Sequence, residues 1–503
     1  MHLPFAMSWN KTKLFWICAA LFGLIFTVLF SFRLGLFDSL YDNPKTVSLS
    51  GSNPLPAKDS WMNIFQNGRK IGSSHTTFSK TASGYRLYEK IHMRINTMGM
   101  VQDIRLDTGG RLNQDFTLSS FDFEISSGRF RFMVEGTISN DLLSIQTQSF
   151  GSKRKIDIEL KERVYIMPGI LKAVAASALV PGDEFAFQIF DPATMGRETV
   201  IVKVIGREEV LNQGIKKTTT KLSLMFKGVT QMAWIDENGE VIKEKGFLGI
   251  SLEKTTRDNA LFGLPLEASQ DLTTVASVPS NMLIDDASKL TGLAVEIGGI
   301  KYDDIDLHGG RQSLVDNVLT ITIESLSDLA SFAAENKSHE DRKEFLKPTP
   351  FVQSDHPKIR KLAKKIVSGN EVPLTKAVRL VDWVYKNIDK RPVLSLPDAL
   401  STLENRMGDC NEHAVLLAAL ARATGIPVKI EAGLVYLNGR FYYHAWNLLY
   451  LGKWVTADAL FGQIPADVTH IRFASGQQKQ QLDLMSIIGK IKLNIILIEP
   501  KLD

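Results

Sequence analysis

The sequence contains few cysteines and no excess of charge of one sign. Its two cysteines among 503 residues, Cys18 and Cys410, cannot build a disulfide framework. Cys18 lies in an apolar run and Cys410 in a distant polar motif, so we expect no bond between them. The 59 basic and 55 acidic residues give a formal net charge of +4. A nucleic-acid-binding protein usually carries a clustered basic surface, so nucleic acid is not an expected partner.

The composition is that of an ordinary globular protein, with 44% hydrophobic and 23% charged residues. It excludes collagen, coiled coil and extended disorder as the main architecture. A chain of 503 residues exceeds the size at which one hydrophobic core stops growing. The length therefore predicts two to four domains.

An uncharged apolar run near the N-terminus predicts a transmembrane helix over residues 14–32, which read LFWICAALFGLIFTVLFSF. About 19 residues make roughly 28 Å of helix, enough to cross the hydrocarbon core of a bilayer. Lys11 and Lys13 precede the run, which favours a cytoplasmic N-terminus and a periplasmic or otherwise extracytoplasmic main body. The alternative is a cleaved signal peptide, whose apolar core is normally shorter and precedes a small-residue cleavage site.

The middle of the chain has the residue pattern of β-strands separated by turns. Residues 43–60 contain Pro44, Pro54 and Pro56 among polar residues and predict a linker. Strand-like stretches separated by glycine-containing turns predict a mainly antiparallel β domain over residues 61–265. The acidic run at 236–239 lacks the ligand spacing of a calcium-binding loop, so it predicts a hairpin turn.

Helical signals begin after residue 356. The predicted order from the end of the β domain is a small mixed or β region, a linker, a catalytic domain and a C-terminal tail, over residues 266–335, 336–356, 357–475 and 476–503. Pro357 is placed to open one helix. A second helix from Leu374 is predicted to bury one apolar stripe: Ala377, Val378, Val381, Val384 and Ile388.

Cys410 stands at the start of a run of helix formers. Gly408 and Asp409 form a turn and cap before it, and Gly425 and Pro427 end the helix. At a helix N-terminus the dipole and the free backbone N–H groups favour a thiolate. The same N–H groups can bind a developing oxyanion. The segment therefore predicts a reactive thiol.

Two residues downstream complete the chemistry that such a thiol needs. Asn438-Gly439 is a strong hairpin signal, and it places His444 on the second strand of the hairpin. An imidazole beside the thiol forms a thiolate–imidazolium pair, and a carboxylate on its far nitrogen sets the tautomer. Asp458 follows the next turn. A two-residue turn there would face Asp458 away from His444, so we predict a connection of odd length.

These motifs together resemble bacterial members of the transglutaminase-like superfamily. They are, in order, Gly408-Asp409-Cys410-x-Glu412-His413-Ala414, Gly425-Ile426-Pro427, His444-Ala445-Trp446, Trp454, Asp458 and Thr469-His470-Ile471. The resemblance implies an α+β fold with a papain-like core at the C-terminus. It also implies Cys410 as nucleophile, His444 as base and acid, and Asp458 as the orienting residue. Ala459 stands where the family often has proline.

The resemblance implies a thioester intermediate that passes to an amine or to water. We expect no cofactor and no metal, and the calcium dependence of the animal enzymes is not carried over because no calcium-binding loop is visible in the sequence. A zinc site made of Cys410, His413, His444 and Asp458 is the alternative. In the leading interpretation, His413 and His470 make structural hydrogen bonds, and Trp446 and Trp454 are core aromatics.

The leading hypothesis is a membrane-anchored, exported cysteine hydrolase or acyltransferase that acts on protein or peptide substrates. Hydrolysis is favoured over cross-linking because water is the default acceptor and the sequence shows no recognisable binding site for an amine acceptor. The alternative is a non-catalytic adaptor of the cell envelope with a relic triad.

Overall fold

The computed structural model describes residues 57–501, with gaps at 129, 150–151, 178, 193–194, 303–304, 327–339, 394–396, 477–483 and 485. The predicted membrane helix 14–32 and nearly all of the linker 43–60 lie outside the described residues. In the part of the chain that is described, no helix combines the length and the apolar character needed to cross a membrane.

Fourteen strands form one antiparallel sheet in the order β8-β7-β6-β5-β4-β3-β2-β1-β14-β13-β12-β11-β10-β9. Their bounds are β1 Lys58–Gln66, β2 Arg69–Thr81, β3 Gly84–Thr97, β4 Met100–Leu112, β5 Leu118–Ser127, β6 Phe130–Ser139, β7 Leu142–Ser149, β8 Ser152–Glu159, β9 Glu184–Asp191, β10 Gly196–Asn212, β11 Ile215–Phe226, β12 Val229–Ile235, β13 Val241–Lys245 and β14 Ile250–Thr255. The antiparallel pairing confirms the predicted sheet type. Asp236 and Gly239 lie in the turn between β12 and β13, as predicted.

The sheet curls so that its two halves share one core. Leu87 and Leu143 from one half lie in the same buried cluster as Phe187 and Leu222 from the other. Helix α1, Met167–Ala175, contributes its buried face to this cluster. Alternating inward side chains and one amphipathic helix therefore make this core, and within the described residues the two end strands, β8 and β9, do not pair with each other.

The C-terminal part combines helices with a five-stranded sheet. Its sheet runs β15-β22-β21-β24, with β23 also paired to β22. Before it the chain forms two short helices, α2 Arg257–Phe262 and α3 Leu272–Ala276. The remaining elements are β15 Val278–Pro279, α4 Pro357–Ile366, α5 Pro373–Asn387, β19 Asp389–Lys390, α6 Ala399–Asn405, β20 Met407–Gly408, α7 Cys410–Ala423, β21 Val428–Leu437, β22 Arg440–Tyr450, β23 Trp454–Ala457 and β24 Ile471–Gly476.

Helix α7 is the buried axis of this part. Every residue from Glu412 to Arg422 is buried, and α7 packs against β21, β22, α4, α5 and α6. Its alanines and leucines are strong helix formers that also fill the core, so local preference and tertiary packing agree. The chain leaves the helix at Gly425, whose φ of +86° suits glycine.

A second, four-stranded sheet packs on the first. It has the order β17-β18-β16-β25, with bounds β16 Leu290–Gly298, β17 Gln312–Val315, β18 Val318–Thr322 and β25 Lys492–Pro500. Leu293 and Ile495 of this sheet share a buried cluster with Leu434 and Phe441 of the other. Residues predicted as a small region and as a tail thus pair with each other.

The buried face of helix α5 differs from the prediction at one position. Ala377, Val381, Val384 and Ile388 are buried as predicted, but Val378 is 43% exposed. Leu380 is fully buried instead, at 0% exposure. The two positions lie on opposite flanks of one apolar stripe, and the neighbouring helices cover only the Leu380 flank.

We expect Leu380→Ala to lower the free energy of unfolding by about 2–5 kcal/mol, because it leaves a cavity in a closed core. Val378→Ala is the matched control on the same helix and should stay within about 0.5 kcal/mol of the parent. Urea unfolding of both variants measures the difference. Equal losses would contradict the observed packing of α5.

Candidate active site

Cys410 is the first residue of α7 and is half-buried. The Asp409 carboxylate caps the helix by accepting from the Asn411 N–H at 2.9 Å. The Glu412 carboxylate accepts from the Asp409 N–H at 3.0 Å and completes a capping box. Gly408 has room for no side chain, since a Cβ there would lie 2.2 Å from Glu412 Cβ. The local sequence therefore fixes where the thiol sits.

His444 lies on β22, which the hairpin with β21 places beside α7. Asn438 and Gly439 form a two-residue turn with φ of +48° and +82°, between the paired residues Leu437 and Arg440. Two positive φ values are the signature of the predicted hairpin turn. His444 is 8% exposed, so its ring is held largely out of water.

The connection between β22 and β23 has the predicted odd length. Tyr450 pairs with Trp454, which leaves three residues in the loop, and Asn447 pairs with Ala457. Continued by one step, this register sets Asp458 opposite Trp446, on the face of the sheet that carries His444. A two-residue turn would have contradicted the triad, and the structure does not have one.

His444 and Asp458 are directly bonded. His444 Nε2 lies 2.6 Å from Asp458 Oδ2. The other carboxylate oxygen, Oδ1, accepts from the backbone N–H groups of Leu460 at 2.7 Å and Phe461 at 3.2 Å. Burial disfavours the charged carboxylate, but His444 and then His470 hold the pKa of Asp458 well below its usual range. Asp458 is therefore an ionised acceptor that orients the imidazole.

The thiol of Cys410 meets β22 at an unpaired stretch of its edge. Strand β21 pairs with one edge of β22. Strands β15 and β23 therefore both pair with the opposite edge, at residues 440–441 and 447–450. Ala445 lies inside the gap between them, and its backbone N–H lowers the pKa of the Cys410 thiol. Cys410 thus lies beside the residue that follows His444. In the part of the chain that the structure describes, no hydrogen bond joins the Cys410 thiol to the His444 imidazole.

Burial and the Asp409 carboxylate raise the pKa of the Cys410 thiol well above its usual range, and the Ala445 N–H opposes them only in part. Burial and the nearby Asp409 carboxylate therefore oppose the expected preference of the helix terminus for a thiolate. Burial is the larger of these two effects, and the Asp409 carboxylate, which caps the same helix end, adds to it. Burial and Asp409 also raise the pKa of Glu412 well above its usual range. Ionisation of the thiol therefore needs a proton acceptor.

His470 is a neighbour of Asp458 whose position the sequence did not indicate. His470 Nε2 lies 2.9 Å from Asp458 Oδ2, the oxygen that also faces His444. Its Nδ1 lies 3.2 Å from both the Asp467 backbone oxygen and Asp467 Oδ1. A structural hydrogen bond was predicted for His470, but not with the orienting carboxylate. The sequence pointed to this contact only through the polar residues Asp467, Thr469 and His470, which follow shortly after Asp458.

The zinc alternative does not match the observed geometry. His413 directs Nδ1 to the Asp409 backbone oxygen at 2.7 Å, which confirms its predicted structural hydrogen bond. Among the described residues, the set whose ligand atoms converge within 4.8 Å is His444, Asp458 and His470. Tetrahedral ligands about 2.0–2.1 Å from zinc stand roughly 3.3 Å apart, farther than the 2.6 Å between His444 and Asp458. The three side chains fit a hydrogen-bonded cluster.

Aromatic rings enclose the imidazole of His444. Phe461 stacks on it at 5.2 Å between ring centroids, and Trp446 lies at 6.1 Å. Trp446 is buried, as predicted, and its Nε1 donates to Glu431 Oε2 at 2.7 Å. Trp454 is only partly buried and packs edge-on against Phe345. Phe461 and Trp446 therefore limit the rotation of the His444 ring.

Two residues before position 330, Arg311 and Glu324, form hydrogen bonds with the backbone around Asp458 and His470. Arg311 donates to the backbone oxygens of Asp467 at 3.0 Å and His470 at 3.1 Å, and it pairs with Glu324 at 3.1 Å. Glu324 in turn accepts from the Thr456 N–H, two residues before Asp458. The small region 266–335 therefore positions the chain around Asp458, a role that the sequence did not reveal.

Comparison with known proteins identifies the domain. Residues 360–459 match the family model described as the transglutaminase-like superfamily. No relative was found among curated proteins.

Three solved structures show a weaker likeness. A candidate cysteine protease from Cytophaga hutchinsonii is 19% identical, with 41% of this chain and 82% of that one covered and a TM-score of 0.27. A β-barrel-like protein with a domain of unknown function from Brucella abortus is 10% identical, with 40% and 95% covered and a TM-score of 0.32. A candidate protease from Parabacteroides distasonis is 11% identical, with 76% and 68% covered and a TM-score of 0.21. On the match of the family model, the C-terminal part of this chain contains a transglutaminase-like domain.

Proposed function

We propose that this protein is a membrane-anchored, exported cysteine enzyme that attacks amide or peptide bonds through a thioester intermediate, with water as the final acceptor. The observation that carries the proposal is the hydrogen bond from His444 Nε2 to the ionised Asp458 at 2.6 Å. It places the proton on Nε2 and leaves on Nδ1 a lone pair that can act as a base toward the Cys410 thiol.

The first half of the reaction forms the thioester. His444 Nδ1 takes the proton of the Cys410 thiol, and the thiolate attacks the carbonyl carbon of the amide. The capping box engages the N–H groups of Asn411 and Glu412, so the Cys410 N–H is the group at the start of α7 that can stabilise the oxyanion of the tetrahedral intermediate. When the C–N bond breaks, the imidazolium returns its proton to the leaving amine.

The second half regenerates the enzyme. His444 takes a proton from a water molecule, whose oxygen attacks the thioester carbon. The tetrahedral intermediate then expels the Cys410 thiolate, the thiolate takes the proton back from His444, and the product leaves as a carboxylic acid. Asp458 keeps its negative charge throughout and stabilises the imidazolium in both halves.

A non-catalytic adaptor is the second candidate. The raised pKa of the Cys410 thiol favours it, because a thiol without a bonded base stays protonated and inert. In that reading the cluster around Asp458 serves only to hold the domain together. The two candidates differ in whether His444 controls the reactivity of Cys410.

The proposed anchor is the apolar run 14–32, and the proposed location of the domains is periplasmic or extracytoplasmic. Lys11 and Lys13 before the run support a cytoplasmic N-terminus. The first strand begins at Lys58, so a segment of about 25 residues would join it to the membrane.

We expect Cys410 to react with iodoacetamide near neutral pH and His444→Ala to slow the reaction about tenfold or more, since each unit of thiol pKa changes the thiolate fraction tenfold. Mass spectrometry of the full chain carrying Cys18→Ala follows the single remaining thiol. His308→Ala, which removes an exposed imidazole, is the control and should label at the parent rate. Slow labelling that is indifferent to His444→Ala would favour the adaptor.

Asp458→Asn should lower the labelling rate about tenfold or more, because an amide N–H facing Nε2 moves the imidazole proton to Nδ1 and removes the base. The control is Asp382→Asn, which neutralises an exposed carboxylate paired with Lys386 on α5. Circular dichroism verifies the fold of each variant. An unchanged rate in folded Asp458→Asn would remove Asp458 from the mechanism.

The full chain, expressed in a Gram-negative host, should stay in the membrane fraction after an alkaline wash. Removal of residues 1–42 should release it, because the apolar run is then gone. Protease added to spheroplasts should digest the domains without lysis. Domains that resist digestion until the cells are lysed would contradict export.

A further inference from the structure

His470 lies between two carboxylates, and both of its ring nitrogens face oxygen atoms. It is 0% exposed. Nε2 lies 2.9 Å from Asp458 Oδ2, and Nδ1 lies 3.2 Å from Asp467 Oδ1 and from the Asp467 backbone oxygen. Asp467 is held in place by the Thr469 N–H and hydroxyl, which both donate to Oδ1, and by Gln463, which donates to Oδ2.

The hydrogen-bond inventory of these atoms determines the charge of His470. An ionised carboxylate and a backbone carbonyl only accept hydrogen bonds. A neutral imidazole has one N–H, so one of its two nitrogens would face an acceptor with a lone pair and lose that bond in a buried place. Only the imidazolium, with two N–H groups, satisfies both neighbours at once.

The charges around His470 support this assignment. Asp458 and Asp467 face it directly, and His444 lies 5.6 Å away between ring centroids. The rings of Trp446 and Phe461 cover its other sides. Arg311 reaches only its backbone oxygen, at 3.1 Å. Burial opposes the charged ring, yet the hydrogen bonds to Asp458 and Asp467 raise the pKa of His470 to about 9.

We propose that His470 is a positioning residue that stays protonated at neutral pH, holds Asp458 directed at His444, and sets the pH range in which Cys410 and His444 form their ion pair. The last part rests on the proposed function, whereas the charge of His470 does not. His470 touches neither substrate nor thiol, and it acts only through the carboxylate that it shares with His444.

The direction of the effect follows from the charges. The positive His470 offsets part of the field of Asp458, so a proton on His444 is stabilised less than it would be beside a free carboxylate. The same positive charge favours a thiolate at Cys410. Removal of the charge should therefore move both the formation of the ion pair and the loss of the imidazolium proton to higher pH.

The first test is NMR of the full chain with ¹⁵N-labelled histidine side chains. The His470 ring should show both nitrogens protonated at pH 7.5 and should lose a proton only near pH 9. His413, a second buried imidazole at the same site, is the internal reference, because burial lowers its pKa and keeps its ring neutral. His470→Gln identifies the signal by its disappearance, and His470→Asn serves if the first variant does not fold. A neutral His470 ring at pH 7.5 overturns the proposal.

The second test is the pH dependence of Cys410 alkylation by iodoacetamide. His470→Gln keeps a donor for Asp458 but removes the charge, so both limbs of the profile should move up by about one pH unit. Thr469→Val is the matched control, because it removes a buried hydrogen bond to Asp467 and leaves the charge of His470. Its limbs should stay in place. A merely structural role would lower the rate at every pH without moving either limb, and that result overturns the proposal.

The two tests separate the proposal from the proposed function. If Cys410 fails to label in any variant while His470 is seen as an imidazolium, the cysteine enzyme fails and the buried cation stands. One equivalent of zinc in the purified chain, lost on His470→Gln, would instead show Nε2 to be a ligand and overturn the proposal.

Discussion

The carboxylate of Asp458 is the group on which the site depends. One of its oxygens faces the Nε2 atoms of His444 and His470, and the other accepts from two backbone N–H groups in the turn that follows. A buried carboxylate with four donors stays ionised, and it orients every group that it touches. The imidazole of His444 therefore has one tautomer and one plane, with Phe461 and Trp446 restricting its rotation.

Residues from distant parts of the chain hold this carboxylate and its neighbours in position. The capping box at Asp409 and Glu412 fixes the start of α7, where Cys410 is presented. Arg311 and Glu324, from the region before the helices, hold the backbone near Asp458 and His470. Arg472 adds a contact with the buried Glu431, whose other oxygen accepts from Trp446. Polar groups that would be costly when buried alone are thus satisfied together.

The parts of the site that follow from local rules could be predicted from the sequence. Asn438-Gly439 specifies its turn by two positive φ values, and the spacing between His444 and Asp458 fits only an odd connection. The parts that depend on distant contacts could not be predicted. The thiol pKa of Cys410 depends on burial and on which carboxylates lie near it, and His470 owes its importance to a carboxylate twelve residues earlier. Val378 and Leu380 are equally apolar, and only the packing of other helices distinguishes them.

The pairing of β16 with β25 has a consequence for the order of biosynthesis. Asn494 on β25 and Glu296 on β16 are 198 residues apart, yet they are neighbours in one sheet that packs on the sheet carrying His444. A ribosome makes Cys410, His444 and Asp458 before it makes β25. The four-stranded sheet is completed only after β25 has been synthesised, so a nascent chain carries these three side chains before the sheet that packs against their own is finished.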